Sequence, residues 1–215
     1  MDLAVRFKGN KQAIIKHLEK VGEYGDFGWW SSPLSNLMCK AQSILFLGEM
    51  EKNIREQQYI IWDRPGTGKT KMCMKVFEQA YPWGAANKWF DGYDPDVHTH
   101  IFIDEMDCTK LACISGNIHG GHNRLKEMSD GKPFHYETKY CDNQLSPWRP
   151  LVITSNIQPQ MWFEPEHRMI NWQALQRRFT IMSAEQFRLK HGLMYDKVMD
   201  EYLTIDEWDM INTLL

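Results

Sequence analysis

The sequence has 215 residues, of which 43% are hydrophobic and 13% aromatic, so it is long enough for one main domain with a substantial core and a small addition. Its formal net charge of −3 excludes a globally basic protein that coats nucleic acid, and any contact with phosphate groups requires a local basic surface. The five cysteines include no Cys-x-x-Cys pair and the sequence shows no signal peptide, so we expect reduced thiols. No apolar run reaches the roughly 18 to 20 residues that span a membrane, so we expect a soluble protein with no membrane partner.

The first 58 residues carry a helical pattern in two pieces. Residues 11–21 and 34–55 have helical periodicity, and the segment 22–33 between them contains glycine and tryptophan. We therefore expect residues 1–58 to form a small helical appendage to the main domain.

The pattern changes from Tyr59 onward to short apolar runs separated by loops and helices. Three of these runs are rich enough in β-branched and aromatic residues for buried parallel strands: Tyr59–Trp62, His100–Ile103 and Leu151–Ser155. Residues 59–182 are therefore predicted to form an α/β domain, with a central parallel sheet flanked by helices.

The carboxyl-terminal segment 183–215 contains two helix-start signals. Ser183 is followed by Gln186, and Thr204 is followed by Glu207, at the spacing of a capping box. We expect two helices here. The surplus of acidic residues in this segment is typical of a solvated helical face, and we assign it no chemistry.

A glycine-rich loop follows the first predicted strand and leads into a helix predicted over residues 71–80. Its sequence is Asp63-Arg-Pro-Gly-Thr-Gly-Lys-Thr70, a phosphate-binding loop (P-loop) in which Asp63 replaces the usual first glycine. An ordinary glycine-rich turn is the alternative, but the flanking strand and helix favour a P-loop. The residues assigned to phosphate binding are Pro65, Gly66, Thr67, Gly68, Lys69 and Thr70.

Polar residues follow the other two predicted strands. Ile101-Phe-Ile is followed by Asp104 and Glu105, which suit a Mg²⁺ ligand, together with Thr70, and a base for an attacking water. Asn156 follows the third strand, where it can bind water or the γ-phosphate. Open α/β sheets bind ligands beyond the carboxyl ends of their strands, so these residues predict a site for ATP and Mg²⁺. Taken singly, each motif is also compatible with a strand entering a solvated loop or with a turn.

Further motifs lie in order around these residues. They are Asn87-Lys-Trp-Phe-Asp-Gly-Tyr93, Tyr136-Glu-Thr-Lys139, Ile153-Thr-Ser-Asn156 with Trp162-Phe163 following, and Ala174-Leu-Gln-Arg-Arg-Phe179. With the P-loop, they resemble the superfamily 3 helicase domain of replication-associated (Rep) proteins from circular single-stranded DNA viruses, especially circovirus-like ones. The resemblance covers about residues 58–181.

This resemblance implies an AAA+-like P-loop NTPase that assembles as a hexameric ring, hydrolyses ATP between subunits and moves along single-stranded DNA during replication. It implies that Lys69, Glu105 and Asn156 act at the ATP, Asn156 as the sensor. Arg177 or Arg178 resembles the arginine finger that reaches the ATP of a neighbouring subunit, although one of two adjacent arginines also suits a structural salt bridge.

The segment 125–139 resembles the family's hairpin that enters the pore of the ring. The resemblance implies that Lys132, His135 and Lys139 contact DNA phosphates. Phe134 and Tyr136 alternate within it, and they suit either contact with a base or a place in the core.

A Rep protein also carries a nicking domain with a His-x-His motif, and we find no place for one. Residues 1–58 contain only His17, and His98-Thr-His100 leads directly into the strand before Asp104. We therefore expect a shortened Rep, a split product, or a helicase that acts with a separate nicking initiator as its partner. The expected location is the host nucleus if the protein is a viral Rep, otherwise the cytoplasm. His119-Gly-Gly-His122 does not follow a structural zinc spacing.

Two alternative functions remain open at this stage. One is a superfamily 3 RNA helicase of an RNA virus, which has similar motifs. The other is a regulatory or packaging ATPase that unwinds nothing, an alternative that Asp63 and the missing nuclease leave in place.

Overall fold

A five-stranded parallel sheet forms the centre of the computed structural model, which describes residues 53–84, 88–116, 118–139 and 141–214. Positions 1–52 of the predicted appendage 1–58 lie outside the described residues. In spatial order, the strands are β2 (Ala80–Pro82), β3 (His100–Ile103), β6 (Leu151–Ser155), β1 (Tyr59–Trp62) and β7 (Thr180–Met182).

The three strands expected from apolar runs are confirmed with their bounds. β6 is buried along its whole length and pairs with β3 on one side and β1 on the other. β2 and β7 are the two edge strands, and neither was expected. Each has only three residues and is less buried than the central strands, so neither forms the continuous apolar run that identifies a buried strand.

Helices cover both faces of the sheet. Ile60 and Ile61 of β1 point to opposite sides, because successive side chains of a strand alternate, and each belongs to a different hydrophobic core. The helices are α1 (Ile54–Gln57), α2 (Lys69–Val76), α3 (Cys108–Cys113), α4 (Ile118–Met128), α5 (Arg168–Arg178), α6 (Ala184–Lys190) and α7 (Ile205–Leu214), with a 3₁₀ turn at Pro159–Trp162. None of the helices in these ranges is both long and apolar enough to cross a membrane.

Helix α2, which follows the glycine-rich loop, is shorter than predicted. It ends at Val76 instead of continuing to residue 80. The Phe77 ring packs against Tyr59 and His100, with ring centroids 5.8 and 4.5 Å apart, and its backbone leaves the helical conformation. Ala80 then pairs with His100 in the sheet, so a tertiary contact ends the helix.

A two-stranded hairpin lies between the two carboxyl-terminal helices. α6 and α7 begin at the predicted capping boxes, in which Ser183 bonds Gln186 and Thr204 bonds Glu207. Between them, β8 (Leu193–Asp196) and β9 (Glu201–Thr204) pair in an antiparallel manner. We call these strands and their turn the C-terminal hairpin. It was not predicted, because its strands are short and partly exposed.

The hairpin in the middle of the chain has different bounds from the segment 125–139. It consists of β4 (Phe134–Thr138) and β5 (Cys141–Ser146), whereas Leu125 belongs to α4. Phe134 and Tyr136 are only 1% and 4% exposed and belong to the core. The core interpretation of the two aromatic residues is therefore confirmed, because alternate residues of β4 face inward.

Candidate nucleotide site

The glycine-rich loop joins the carboxyl end of β1 to the start of α2. Gly66 and Gly68 have φ angles of 80° and 78°, in the left-handed region that glycine adopts without steric cost. A Cβ atom at Gly68 would also lie 2.5 Å from the hydroxyl oxygen of Tyr202. Glycine is therefore required at position 68 for its backbone and for the space beside it.

The side chain of Lys69 folds back over this loop and is only 6% exposed. Its ammonium group donates to the carbonyl oxygens of Asp63 and Arg64, at 2.9 and 2.8 Å, and to the Thr67 hydroxyl at 3.3 Å. Burial lowers the pKa of Lys69, while the Asp63 and Asp104 carboxylates oppose that change. The ammonium is thus held among neutral oxygens, where a phosphate group would be a stronger partner.

Thr70 and Asp104 meet at the opposite side of the loop. The Thr70 hydroxyl donates to both carboxylate oxygens of Asp104, at 2.9 and 3.0 Å, and the Thr154 hydroxyl donates to the same carboxylate. Such oxygen atoms suit Mg²⁺, which binds proteins through one or two carboxylates and takes its other ligands from phosphates and water. No group of three or more His, Cys, Asp or Glu that could hold a metal occurs in the described ranges.

Glu105 occupies an unusual backbone conformation next to Asp104. Its φ of 50° costs about 1–3 kcal/mol for a residue with a side chain. Hydrogen bonds from its N–H group to Asp104 Oδ1, at 3.1 Å, and to the Thr154 hydroxyl, at 2.9 Å, hold this conformation. The Glu105 side chain is exposed and lines the cleft above the loop.

The order of the strands brings Asn156 to the same cleft. β6 lies between β1 and β3, so Asn156 at its end lies between the glycine-rich loop and the two acidic residues. The cleft has a volume of about 1250 Å³. The predicted residues that line it are Pro65, Gly66, Thr67, Gly68, Lys69, Thr70, Asp104, Glu105 and Asn156. Thr154 was not predicted as a site residue, although it lies two positions before Asn156 in the motif Ile153-Thr-Ser-Asn156.

The two candidate arginines differ in environment. Arg178 is 6% exposed, donates to the Asp130 carboxylate at 2.7 Å and to the carbonyl oxygen of Ala174 at 3.0 Å. Arg177 is exposed at the end of α5. Neither arginine is among the described residues that line the cleft. Arg178 therefore makes the structural salt bridge that the sequence analysis allowed for one of the pair, and Arg177 is the arginine with an accessible side chain.

The three predicted DNA contacts lie at the β4–β5 hairpin, away from the cleft. Lys132, His135 and Lys139 are all exposed. Lys139 lies 3.4 Å from the Asp91 carboxylate, and its backbone N–H donates to the same carboxylate at 3.0 Å. Lys132 precedes β4, His135 lies within it and Lys139 follows it, and Lys139 is already engaged with an acidic partner.

The wall of the cleft opposite Asp104 comes from the carboxyl-terminal segment, to which the sequence analysis assigned no chemistry. That interpretation missed these side chains, since the C-terminal hairpin returns to the P-loop only in the folded chain. The residues concerned are Ala184, Glu185, Arg188, Tyr195, Asp200 and Tyr202.

Two comparisons with known proteins found no match to this chain. No protein-family model matches the chain, and no curated protein matches it in sequence.

Proposed function

We propose that this protein is a P-loop nucleoside triphosphatase that hydrolyses ATP with Mg²⁺. The observation that carries the proposal is the direct contact of Thr70 with Asp104 beside the buried Lys69, in one cleft that Glu105 and Asn156 also line. A triphosphate site needs a cation for the phosphates, oxygen ligands for a metal and a base for water. The cleft contains a residue of each kind.

Each residue has a distinct task in the proposed reaction. Lys69 exchanges its loop carbonyl partners for phosphate oxygens, and the loop N–H groups donate to the same phosphates. Thr70 and Asp104 would hold the metal, which would neutralise charge that develops on the transferred phosphoryl group. Glu105 accepts a proton from the attacking water, and Asn156 orients that water by a hydrogen bond.

We further propose that ATP hydrolysis drives a DNA helicase of the Rep type. The support is the resemblance of the motifs together with exposed His135 in β4 and exposed Lys132 two residues before β4, neither of which lines the cleft. In this proposal a homohexameric ring encloses single-stranded DNA, Arg177 reaches the ATP of the next subunit, and a separate initiator nicks the origin in the host nucleus.

A second candidate is a regulatory ATPase that does not unwind nucleic acid. The observation in its favour is that Phe134 and Tyr136 are buried and Lys139 is paired with Asp91. The hairpin therefore offers less aromatic and cationic surface to a single strand than its sequence suggests.

ATPase and strand-displacement assays on the full chain test both candidates. We expect Mg²⁺-dependent hydrolysis, stimulation by single-stranded DNA, and opening of a DNA fork faster than of an RNA fork. Lys69→Ala should abolish hydrolysis. Lys197→Ala, which removes an exposed lysine from the C-terminal hairpin turn, is the matched control and should hydrolyse ATP normally.

The outcomes separate the candidates. Normal turnover in a folded Lys69→Ala variant would overturn the P-loop assignment. Hydrolysis that is indifferent to DNA, without opening of either fork, would favour the regulatory ATPase. Faster opening of the RNA fork would favour an RNA helicase.

A further inference from the structure

The cleft extends well beyond the residues assigned to the phosphates. β7 is the neighbour of β1 on one side, and β6 and β3 follow on the other. Glu105 and Asn156, which come after β3 and β6, therefore lie at one end of the cleft. The other end is formed by residues that come after β7, from Ala184 to Tyr202.

This arrangement defines the orientation that a nucleoside triphosphate would have in the cleft. The phosphoryl group that reacts has to lie near Glu105 and Asn156, because these residues bind the attacking water in the proposed function. The remaining phosphates follow the N–H groups of the loop toward the start of α2. The ribose and base are then left at the end of the cleft formed by the carboxyl-terminal segment.

Two tyrosine rings of the C-terminal hairpin stand at that end. Atoms of the Tyr202 ring would lie 2.8 and 3.0 Å from a Cβ atom at Gly68, so the ring is directly against the P-loop. The Tyr195 ring is 5.2 Å from it between centroids, and Tyr195 is 43% exposed. Both rings line the cleft, tilted by 47° to each other, and we call this pair the aromatic wall.

Ion pairs hold this wall against the P-loop helix. Lys71 of α2 lies 2.6 Å from the Asp200 carboxylate in the hairpin turn, and Lys75 lies 2.5 Å from Glu207 of α7. The Lys71 ammonium also donates to the backbone carbonyl of Asp200 at 3.0 Å. Contacts on both sides of β9 therefore keep the tyrosines beside the loop.

We propose that Tyr202 and Tyr195 form the base-binding part of the nucleotide site, where the base of a purine nucleoside triphosphate packs against the aromatic wall. Stacking on an aromatic ring tolerates different bases, and it is stronger for the larger purine ring than for a pyrimidine. The inference rests on the proposed function, and it adds the binding group for the part of the substrate that the P-loop does not touch.

The test compares ATP and UTP with inorganic tripolyphosphate, which has the phosphate chain but no base. Binding of each ligand with Mg²⁺ is measured for the wild-type chain, for Tyr202→Ala, and for Tyr202→Leu, which fills the space without an aromatic ring. We expect both variants to bind ATP about 10-fold more weakly and to lose preference for ATP over UTP. Their affinity for tripolyphosphate should stay within about twofold of wild type.

Val198→Ala is the matched control on the same hairpin. Val198 is 95% exposed and is not among the described residues that line the cleft, so the variant should bind both ligands as the wild type does. Equal losses of ATP and tripolyphosphate in both Tyr202 variants would overturn the inference, because Tyr202 would then only support the loop. Unchanged ATP affinity would overturn it as well. A wild-type chain that binds neither ligand would instead overturn the proposed function.

Discussion

Asp104 and Glu105 are adjacent carboxylates with different surroundings. Asp104 accepts hydrogen bonds from Thr70 and Thr154, whereas the Glu105 side chain is exposed to the cleft. We predict that Glu105→Gln binds Mg-ATP normally and loses hydrolysis by about 100-fold or more, because it keeps the shape and removes the base. The measurements are ATP affinity and single-turnover hydrolysis.

Asp104→Asn is the companion variant and should show a different defect. Replacement of the carboxylate weakens the metal site, so we expect ATP binding to lose its dependence on Mg²⁺. If Asp104→Asn kept Mg-ATP binding without hydrolysis and Glu105→Gln remained active, the two roles would be reversed.

Arg177 and Arg178 allow a second contrast between neighbours. We predict that Arg178→Ala lowers the melting temperature by about 4–10 °C, because it removes charge-assisted hydrogen bonds from the half-exposed Asp130. Arg177→Ala should change stability by less than about 0.5 kcal/mol and reduce ATPase activity by about 1,000-fold, if it supplies the finger. Thermal melts and turnover measured side by side check both statements.

Mixing of two inactive variants tests whether Arg177 acts across subunits. The Lys69→Ala variant retains Arg177, and the Arg177→Ala variant retains Lys69. Where an Arg177→Ala subunit is followed by a Lys69→Ala subunit, the site between them therefore has both residues. An equal mixture should recover up to about one quarter of wild-type activity, since a random ring has that share of intact interfaces. A mixture as inactive as its components would show that Arg177 does not complete a neighbour's site.

At the scale of elements, the β4–β5 hairpin carries the proposed contact with DNA. We predict that the double variant Lys132→Ala, Lys139→Ala binds single-stranded DNA more weakly. The slope of log affinity against log salt is negative, and its magnitude should decrease by about 0.7 to 1.4. The lower value corresponds to the loss of one phosphate contact. The lower value is expected if the Asp91 carboxylate already neutralises Lys139. Basal ATPase should survive while stimulation by DNA is lost.

Lys197→Ala is the control for this experiment, because it removes one exposed lysine from the other hairpin. It should leave both the affinity and the salt slope unchanged. Unaltered DNA binding and fork opening in the double variant would leave the β4–β5 hairpin without a role in binding DNA.

At the scale of the whole molecule, buried histidines link stability to pH, and the shift is largest at His122 and His100. Burial lowers the pKa of His122 to about 4, with further contributions from Lys126, His119 and Arg178. Burial and then Arg149 lower the pKa of His100 to about 4 as well. The unfolded chain binds more protons at these histidines than the folded chain between pH 6.5 and 4.

The stability that these neutral histidines contribute is therefore fully present above pH 6.5, and this contribution is lost as the pH falls toward 4. We predict that the melting temperature drops on the order of 5–10 °C across this window. His122 is 1% exposed and packs edge-on against Phe163, so His122→Phe should flatten the profile. His135→Ala, at an exposed position, should follow the wild-type curve. A wild-type melting temperature that does not change between pH 6.5 and 4 would contradict the prediction.

The sequence by itself determined the parts of this protein that depend on local pattern. Continuous apolar runs identified the central strands β1, β3 and β6, because a strand buried on both faces needs no polar residue. The glycines at 66 and 68, the residues that follow the strands and the capping boxes at Ser183 and Thr204 were likewise readable, since the chemistry of each lies within a few neighbouring residues.

Only the tertiary structure decided how distant parts of the chain meet. The parallel pairing of β6 between β1 and β3 brings Asp104 to Thr70, 34 positions away. The ion pair of Arg178 with Asp130 distinguishes it from Arg177, and the return of the C-terminal hairpin places Tyr202 against Gly68. Such contacts depend on which edges and faces pack together, and the free energy that selects them comes from burial across the whole fold, which no local pattern contains.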